Sequence, residues 1–224
     1  MFKYHYFETL DSTNDTAKSF PPFSVIHAGC QTKGRGRMGR SWFSLDGNLF
    51  MSIVVPQPAV PSDYSFLASL SVALTLAPLS PRIKWPNDVL INGKKISGIL
   101  LETAPEQSDK LIIGIGINIT ACPDQTLYPT TCLKDCGVDT NAKVILDKVL
   151  QNFEDVLTSY QKSGFKEIRR KWLEFATGIG QAIHVRLPNK ELTGIFNGLD
   201  EKGALLLTTP EKEYILTAGD VFMI

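Results

Sequence analysis

The apolar residues change from a strand period to a helix period at Asn141, and that change limits the possible folds more than any other feature of the chain. Beyond it, Leu146, Val149, Leu150, Phe153, Val156, Leu157 and Tyr160 recur at spacings of three and four, which gathers them on one stripe of a helix. Gly164 interrupts that pattern, and "FKEIRRKWLEFA" resumes it as a second helix. Before Asn141 the apolar runs are short, rich in β-branched residues and bounded by turn residues. "FKYHYFET", "FSVIHAG", "NLFMSIVV", "RIKW", "DVLI", "KKISGILLET" and "KLIIGIGINI" therefore read as strands. Asn92-Gly93 joins two of them as a hairpin, because both residues accept positive φ. Two helices are expected among these strands. A short one over "TNDTAKSF" would be capped by Ser12 or Asp11 and stopped by Pro21-Pro22; a longer one would be opened by Ser62 or Asp63 and run to about Ala77. Residues 120–140 are irregular. From Gly180 on, five short strands occupy about 45 residues, the pattern of a small barrel or rolled sheet. The expectation is an α+β chain with a boundary near Gly178, dividing it into residues 1–178 and 179–224.

Bulk properties narrow the partners. The 224 residues suffice for one substantial core and a small appendage, and 43% hydrophobic with 21% charged residues is ordinary for a soluble protein. Lys+Arg and Asp+Glu are both 23, whereas a general nucleic-acid binder carries a basic excess to release counterions. The start has no leader pattern, and the apolar stretch at 66–79 is broken by Ser and Thr and too short to span a bilayer. Of Cys30, Cys122, Cys132 and Cys136, only the last two are close enough in sequence to suggest a shared metal. With His only at 5, 27 and 184, reduced thiols in a cytoplasmic protein are expected and a zinc site is not.

Against this balanced background, residues 33–40, "KGRGRMGR", carry four cations, three glycines and no acid. Residues 34–39 satisfy G-x-G-x-x-G, and residues 34–41 mimic a Walker A loop with arginine in place of lysine. Both motifs need a helix directly after the loop, to aim its N-terminus at phosphate. Here "SWFSL", a Gly-Asn turn and a strand follow instead. Either the loop is a solvated basic turn, or its arginines bind an anion directly through their paired donors. Lys84, Asn87, Asp88 and Lys95, on strands flanking a turn, suit a metal–nucleotide site. Gly114 and Gly116, in a buried strand, signal either tight sheet packing or a flat ligand lying close.

The ordered set "STN" (12–14), "GRGRMGRSW" (34–42), "KWPND" (84–88), "GKKISGIL" (93–100) and "GIGIN" (114–118) resembles the biotin–protein ligases, also called biotin–[acetyl-CoA-carboxylase] ligases or holocarboxylase synthetases. The resemblance implies a mixed sheet flanked by helices, related to class II aminoacyl-tRNA synthetases, followed by an SH3-like β-barrel. It implies that biotin and MgATP give biotinyl-5′-AMP, from which biotin passes to a lysine of a biotin carboxyl carrier protein. Ser12, Thr13 and Gln31 would bond the ureido ring, with Asn14, Gly34, Arg35, Gly36, Trp42, Lys84 and Gly98 completing the biotin site. Arg35, Arg37 and Arg40 would close over biotin and the phosphates, and Lys95 would stand between the biotin carboxylate and the α-phosphate. Asn87, Gly116, Asn118, Thr131, Cys132 and Leu133 would join Arg37, Arg40 and Lys95 at the nucleotide. Asp88 would contact Mg²⁺ or accept the proton of the incoming lysine. In some relatives an aromatic residue from 120–135 packs on adenine, and Tyr128 is the candidate here. The catalytic pattern begins within the first dozen residues, so no DNA-binding domain and no nucleic-acid or membrane partner are expected. The state implied is a monomer or homodimer. The rival readings are a lipoate or octanoate ligase of the same fold, a non-catalytic biotin-binding module and an RNA-binding arginine–glycine loop.

Overall fold

A computed structural model describes residues 2–104, 107–124, 126 and 128–224. Seven strands form a mixed sheet: β1 (Lys3–Leu10), β2 (Ser24–Gln31), β3 (Leu49–Pro56), β4 (Arg82–Lys84), β5 (Asp88–Ile91), β6 (Lys94–Ala104) and β7 (Gln107–Ile117), in spatial order β1-β2-β3-β7-β6-β5-β4. Only β1 and β2 run parallel, and the short helix α1 (Thr13–Ala17) makes the crossover between them. The other pairs are antiparallel. At the β5–β6 turn, Asn92 and Gly93 both take positive φ, 50° and 74°, as their sequence requires.

Alternation along the central strands separates the two faces of this sheet. Leu49, Met51, Ile53 and Val55 of β3 and Leu111, Ile113, Ile115 and Ile117 of β7 point into the main core. There they meet α2 (Asp63–Thr75), α3 (Ala142–Ser163) and α4 (Phe165–Phe175), through Leu67, Leu70, Phe153, Ile168 and Trp172. Truncating a buried aromatic such as Phe153 to alanine costs about 3–5 kcal/mol, so this one layer supplies much of the net stability. On the opposite face Ile26, Val54 and Ile112 form a small second core with Ala17 under α1. Further along the same face the strands carry Ser52, Gly114 and Gly116, with Ser52 paired to Gly114. Small residues there leave room for what lies above.

α2 is buried on nearly all sides, and its hydroxyls are satisfied internally. Ser69 and Ser71 donate to the carbonyls of Ser65 and Leu67 at 2.8 and 2.7 Å, and Ser69 accepts from the Trp172 indole at 3.0 Å. The helix starts differ from the sequence expectation. Neither Ser12 nor Ser62 caps through its side chain, and the Asp11 carboxylate is held instead by Thr32 and by Lys33 at 2.9 Å. Asp63 accepts from Tyr160 at 2.8 Å and so joins α2 to α3. Asn141 does cap α3, accepting from the Val144 amide at 3.0 Å. α1 ends at Ala17 and continues as tight turns to Phe20, because the buried Lys110 ammonium takes the carbonyls of Lys18 and Phe20 at 2.6 and 3.1 Å.

The remaining strands, β8 (Ala182–Arg186), β9 (Glu191–Leu199), β10 (Leu205–Thr208), β11 (Glu213–Leu216) and β12 (Asp220–Met223), form an antiparallel sheet in the order β11-β10-β9-β8-β12. Val185, Phe196, Leu205, Leu207 and Val221 line its inner side, continuous with the main core. Trp85 donates to Gly203 O at 3.1 Å, and Arg169 grips the carbonyls of Leu199 and Asp200, which seats this sheet on the first. Among the described residues no helix is long and apolar enough to cross a membrane.

Candidate active site

A cavity of about 360 Å³ opens on the sheet face away from α2, α3 and α4, above Gly98, Gly114 and Gly116. The glycines are there because side chains descend onto them. A Cβ on Gly114 would lie 2.4 Å from Asn14 Oδ1, and one on Gly116 would lie 2.4 Å from the Trp42 ring. What these glycines admit is therefore the protein's own Asn14 and Trp42. Among the described residues the buried Trp42 indole N–H has no hydrogen-bond partner.

At one end the groups are neutral or neutralised. Gln31 Oε1 accepts from the Thr13 amide at 2.8 Å and its hydroxyl at 3.1 Å. Asn14 accepts from Ser52 at 2.6 Å and donates to Glu102 at 2.6 Å. Arg35 lines the cavity too, but its guanidinium is spent on Asp15 and on Glu102, the latter at 3.0 Å. Hydrogen bonds from Arg35 hold the Asp15 carboxyl well below the usual range against partial burial, and Asp15 and Glu102 raise Arg35 in return.

The other end is cationic. Asp88 is 6% exposed and lies between two ammonium groups, with Lys95 on Oδ1 at 2.6 Å and Lys84 on Oδ2 at 3.2 Å. Burial alone would raise the Asp88 carboxyl, but the two lysines outweigh it and keep it ionised below its usual range. Burial also lowers Lys84, with Asp88 opposing. Arg37 donates to Asn87 Oδ1 at 3.0 Å, and Asn87 is itself fixed by donating to Ile99 O at 2.7 Å. Arg40 reaches the second sheet, donating to Asp220 at 2.9 Å; burial disfavours its charge, but Asp220 more than restores it. Among the described residues lining this end, Lys84, Lys95, Arg37 and Arg40 face only Asp88 and Asp220, leaving two positive charges for a ligand.

The loop carrying these arginines is a closed turn. Arg35 and Ser41 form a β-bridge, the Trp42 amide donates to Gly34 O at 2.9 Å, and Met38 and Gly39 take positive φ. A short 3-10 turn lies within it and β3 follows, so neither phosphate-loop motif is formed.

Of the residues anticipated from sequence, Thr13, Asn14, Gln31, Arg35, Gly36, Arg37, Arg40, Trp42, Lys84, Asn87, Asp88, Lys95, Gly98, Gly116 and Asn118 all line this cavity. Ser12, Gly34, Thr131, Cys132 and Leu133 stand outside the lining. Asn118 ties down the last three by donating to Thr131 O at 3.1 Å and accepting from the Leu133 amide at 3.1 Å, so they back the wall. Tyr128 lines the cavity, yet Lys84 Nζ sits 3.7 Å from its ring centroid and Phe222 packs at 5.0 Å. A base stacking on Tyr128 has to share or displace those contacts. Asp220 and Val221 had no signal in the sequence, since no motif connects β12 to a loop some 180 positions earlier. Asp88 does not fit Mg²⁺: both its oxygens carry ammonium groups, and the other lining carboxylate, Asp220, is taken by Arg40.

The family model described as the biotin/lipoate A/B protein ligase family matches residues 6–118, and that of the biotin protein ligase C terminal domain matches residues 178–223. A bifunctional ligase/repressor BirA of Bacillus subtilis (strain 168) is 35% identical, covering 96% of this chain and 72% of its own. A biotin–[acetyl-CoA-carboxylase] ligase of Paracoccus denitrificans is 34% identical, covering 95% of this chain and 97% of its own. The solved structure of a biotin protein ligase from Aquifex aeolicus in complex with biotin and ATP superposes with a TM-score of 0.88 at 31% identity, over 99% of this chain and 98% of that one.

Proposed function

The chain belongs to the biotin/lipoate A/B protein ligase family and, within it, to the biotin protein ligases, and from that premise we propose that its cavity joins biotin to AMP and passes the biotinyl group to a lysine of a biotin carboxyl carrier protein. One observation carries the reading: a single cavity runs from a neutral hydrogen-bonding end at Thr13 and Gln31 to a cationic end at Lys95, Arg37 and Arg40. A ureido ring offers two N–H donors and one carbonyl acceptor, which suits the first end. A carboxylate and a polyphosphate, both anionic, suit the second.

In the first half-reaction a biotin carboxylate oxygen bonds to the α-phosphorus of ATP. The bond from that phosphorus to the bridging oxygen breaks, and pyrophosphate leaves. Two anions must meet for this, and Lys95 between them removes the repulsion and fixes their approach. Arg37, held by Asn87, and Arg40, held by Asp220, supply fixed positive charge where the leaving group accumulates negative charge. In the second half-reaction a neutral lysine amine attacks the mixed-anhydride carbonyl; the C–N bond forms, the bond from that carbon to the phosphate oxygen breaks, AMP departs, and the amine proton passes to solvent. Asp88 is a poor proton acceptor while two lysines hold it ionised, so its role is to position Lys95 and Lys84. In the same reading residues 1–178 carry the cavity, and 179–224 close its phosphate end through Asp220.

The test is to incubate the protein with biotin, MgATP and an apo carrier domain and to weigh the carrier. The expected result is one added biotin, with pyrophosphate released only when biotin is present. Absence of both rejects the proposal.

A further inference from the structure

Cys122, Cys132 and Asp135 meet on the outer side of the cavity wall. Their two sulfurs and a carboxylate oxygen all lie within 4.8 Å of one another. The sequence suggested Cys132 and Cys136 as the closest pair, but Cys136 turns its sulfur to the Thr131 hydroxyl at 3.8 Å, and Cys122 arrives instead. We infer that this cluster is a structural binding site for a thiophilic divalent cation of the Zn²⁺ class, fastening the loop that walls the cavity.

The arms that carry the donors are held. The segment with Cys132 is pinned on both sides, by the Thr131 amide on Lys95 O at 3.0 Å and the Leu133 amide on Asn118 O at 3.1 Å. Asp135 follows on a 3-10 turn (Lys134–Cys136) closed by Gly137 at φ 77°, so the C-x-x-D spacing brings both donors to one side of a single turn. Cys122 follows Ala121, whose carbonyl accepts from Asn48 Nδ2 at 2.8 Å and whose amide donates to Asn48 Oδ1 at 3.3 Å. Burial grades outward from Cys132 through Cys122 to the exposed Asp135, which gives a cation a way in.

The donor set selects the cation. Two sulfurs and one carboxylate oxygen suit a borderline-soft ion with a water in the fourth position, whereas Mg²⁺ or Ca²⁺ would require oxygens throughout. Cys122 Sγ already stands 3.8 Å from Asp135 Oδ2, so two of the three donors are in contact before any ion arrives. Binding replaces two protons: the cation forms bonds to both sulfurs and to the carboxylate, and two S–H protons pass to solvent. No oxidant is needed. The ion would close the loop between residues 122 and 132, from which Pro123, Thr126, Tyr128 and Thr130 line the cavity.

The test uses full-length, reduced, chelator-stripped protein with Zn²⁺ alone and Co²⁺ alone as probes. The expected result is one Co²⁺ per chain with a thiolate-to-metal charge-transfer absorption, and a rise in Tm on adding Zn²⁺. Cys122→Ser and Asp135→Asn should weaken binding by at least roughly tenfold to a hundredfold, the loss that even an outer partner of a metal ligand causes. Cys136→Ser should bind as wild type. Cys122 is half-buried, so circular dichroism of metal-free Cys122→Ser matching wild type shows that the loss is of binding and not of fold. Equal binding by wild type and Cys122→Ser overturns the proposal. So does absence of the cobalt charge-transfer band in the reduced, chelator-stripped wild type.

Discussion

At the scale of single residues, the chemistry concentrates on Asp88 and its two lysines. Removing two charged groups from water costs several kcal/mol each, and such a cluster persists only because opposite charges and short contacts offset it. Lys95 is partly exposed while Lys84 is not, so the two lysines divide the work: Lys84 is committed to Asp88, and Lys95 can turn to a ligand. Lys95→Ala should therefore fold and still bind biotin, yet slow biotin-dependent pyrophosphate release by about 100-fold or more, the usual loss when one charge-stabilising donor is removed. A wild-type rate in that assay would take Lys95 out of the reaction. Asp88→Asn should destabilise the fold by about 3–5 kcal/mol, because Lys84 is left buried without its anion. The pH dependence follows from the direction of the Asp88 shift. Its folded pKa lies below the unfolded one, so the unfolded chain binds the proton first on acidification. The stabilisation is present above the ordinary carboxylate pKa of about 3.9 and is lost as pH falls toward the folded value. Urea denaturation at successive pH values should show this acid-dependent component in wild type and its absence in Asp88→Asn.

At the scale of elements, β7 carries structure on one face and the site on the other. Its odd positions, Leu111, Ile113, Ile115 and Ile117, face the helices, while Gly114 and Gly116 face the cavity. This alternation was legible in "KLIIGIGINI", and so was the need for something close above the glycines. That the something is Asn14 and Trp42 was not legible, because both come from other elements and meet β7 only after the sheet forms. Gly116→Ala tests the separation of faces. Its methyl would displace the Trp42 ring but leave the helix-side isoleucines in place. The variant should stay folded, with a far-ultraviolet spectrum like wild type, and lose most of the thermal stabilisation that biotin with ATP confers. Full retention of that stabilisation would mean that Trp42 does not shape the ligand site. The helix ends show the same limit. Asn141 caps α3 as its position suggests, but Asp11 is drawn to Lys33 and Thr32 and Asp63 to Tyr160, since tertiary partners compete with local caps for the same oxygen.

At the scale of the whole molecule, the second sheet completes the first. Arg40 and Arg37 meet Asp220 and the neighbouring Gly219 carbonyl, so the basic loop closes against β12. The Arg40–Asp220 pair is partly exposed and contributes no more than about 1 kcal/mol to folding. Its larger effect should be on the ligand. Asp220→Ala should leave Tm nearly unchanged and raise the KM for ATP several-fold, as Arg40 loses its fixed orientation, and added salt should narrow the difference from wild type. An unchanged KM at low salt would mean that the second sheet does not organise the phosphate end.

Read alone, the sequence determined the kinds of element, their order, the hairpin at Asn92-Gly93, the absence of a helix after the basic loop and most of the polar side chains that reach the cavity. Periodicity, allowed φ and motif order are set by neighbours along the chain, so they can be read along it. Only the tertiary structure decided that Arg35 is neutralised by Asp15 and Glu102, that Asp220 anchors Arg40, that Asp88 is enclosed by two lysines and that Cys122 meets Cys132 rather than leaving it to Cys136. Those outcomes depend on which charges and sulfurs the packed core brings within a few ångströms, across separations from four residues to 180, and periodicity and turn chemistry do not encode them.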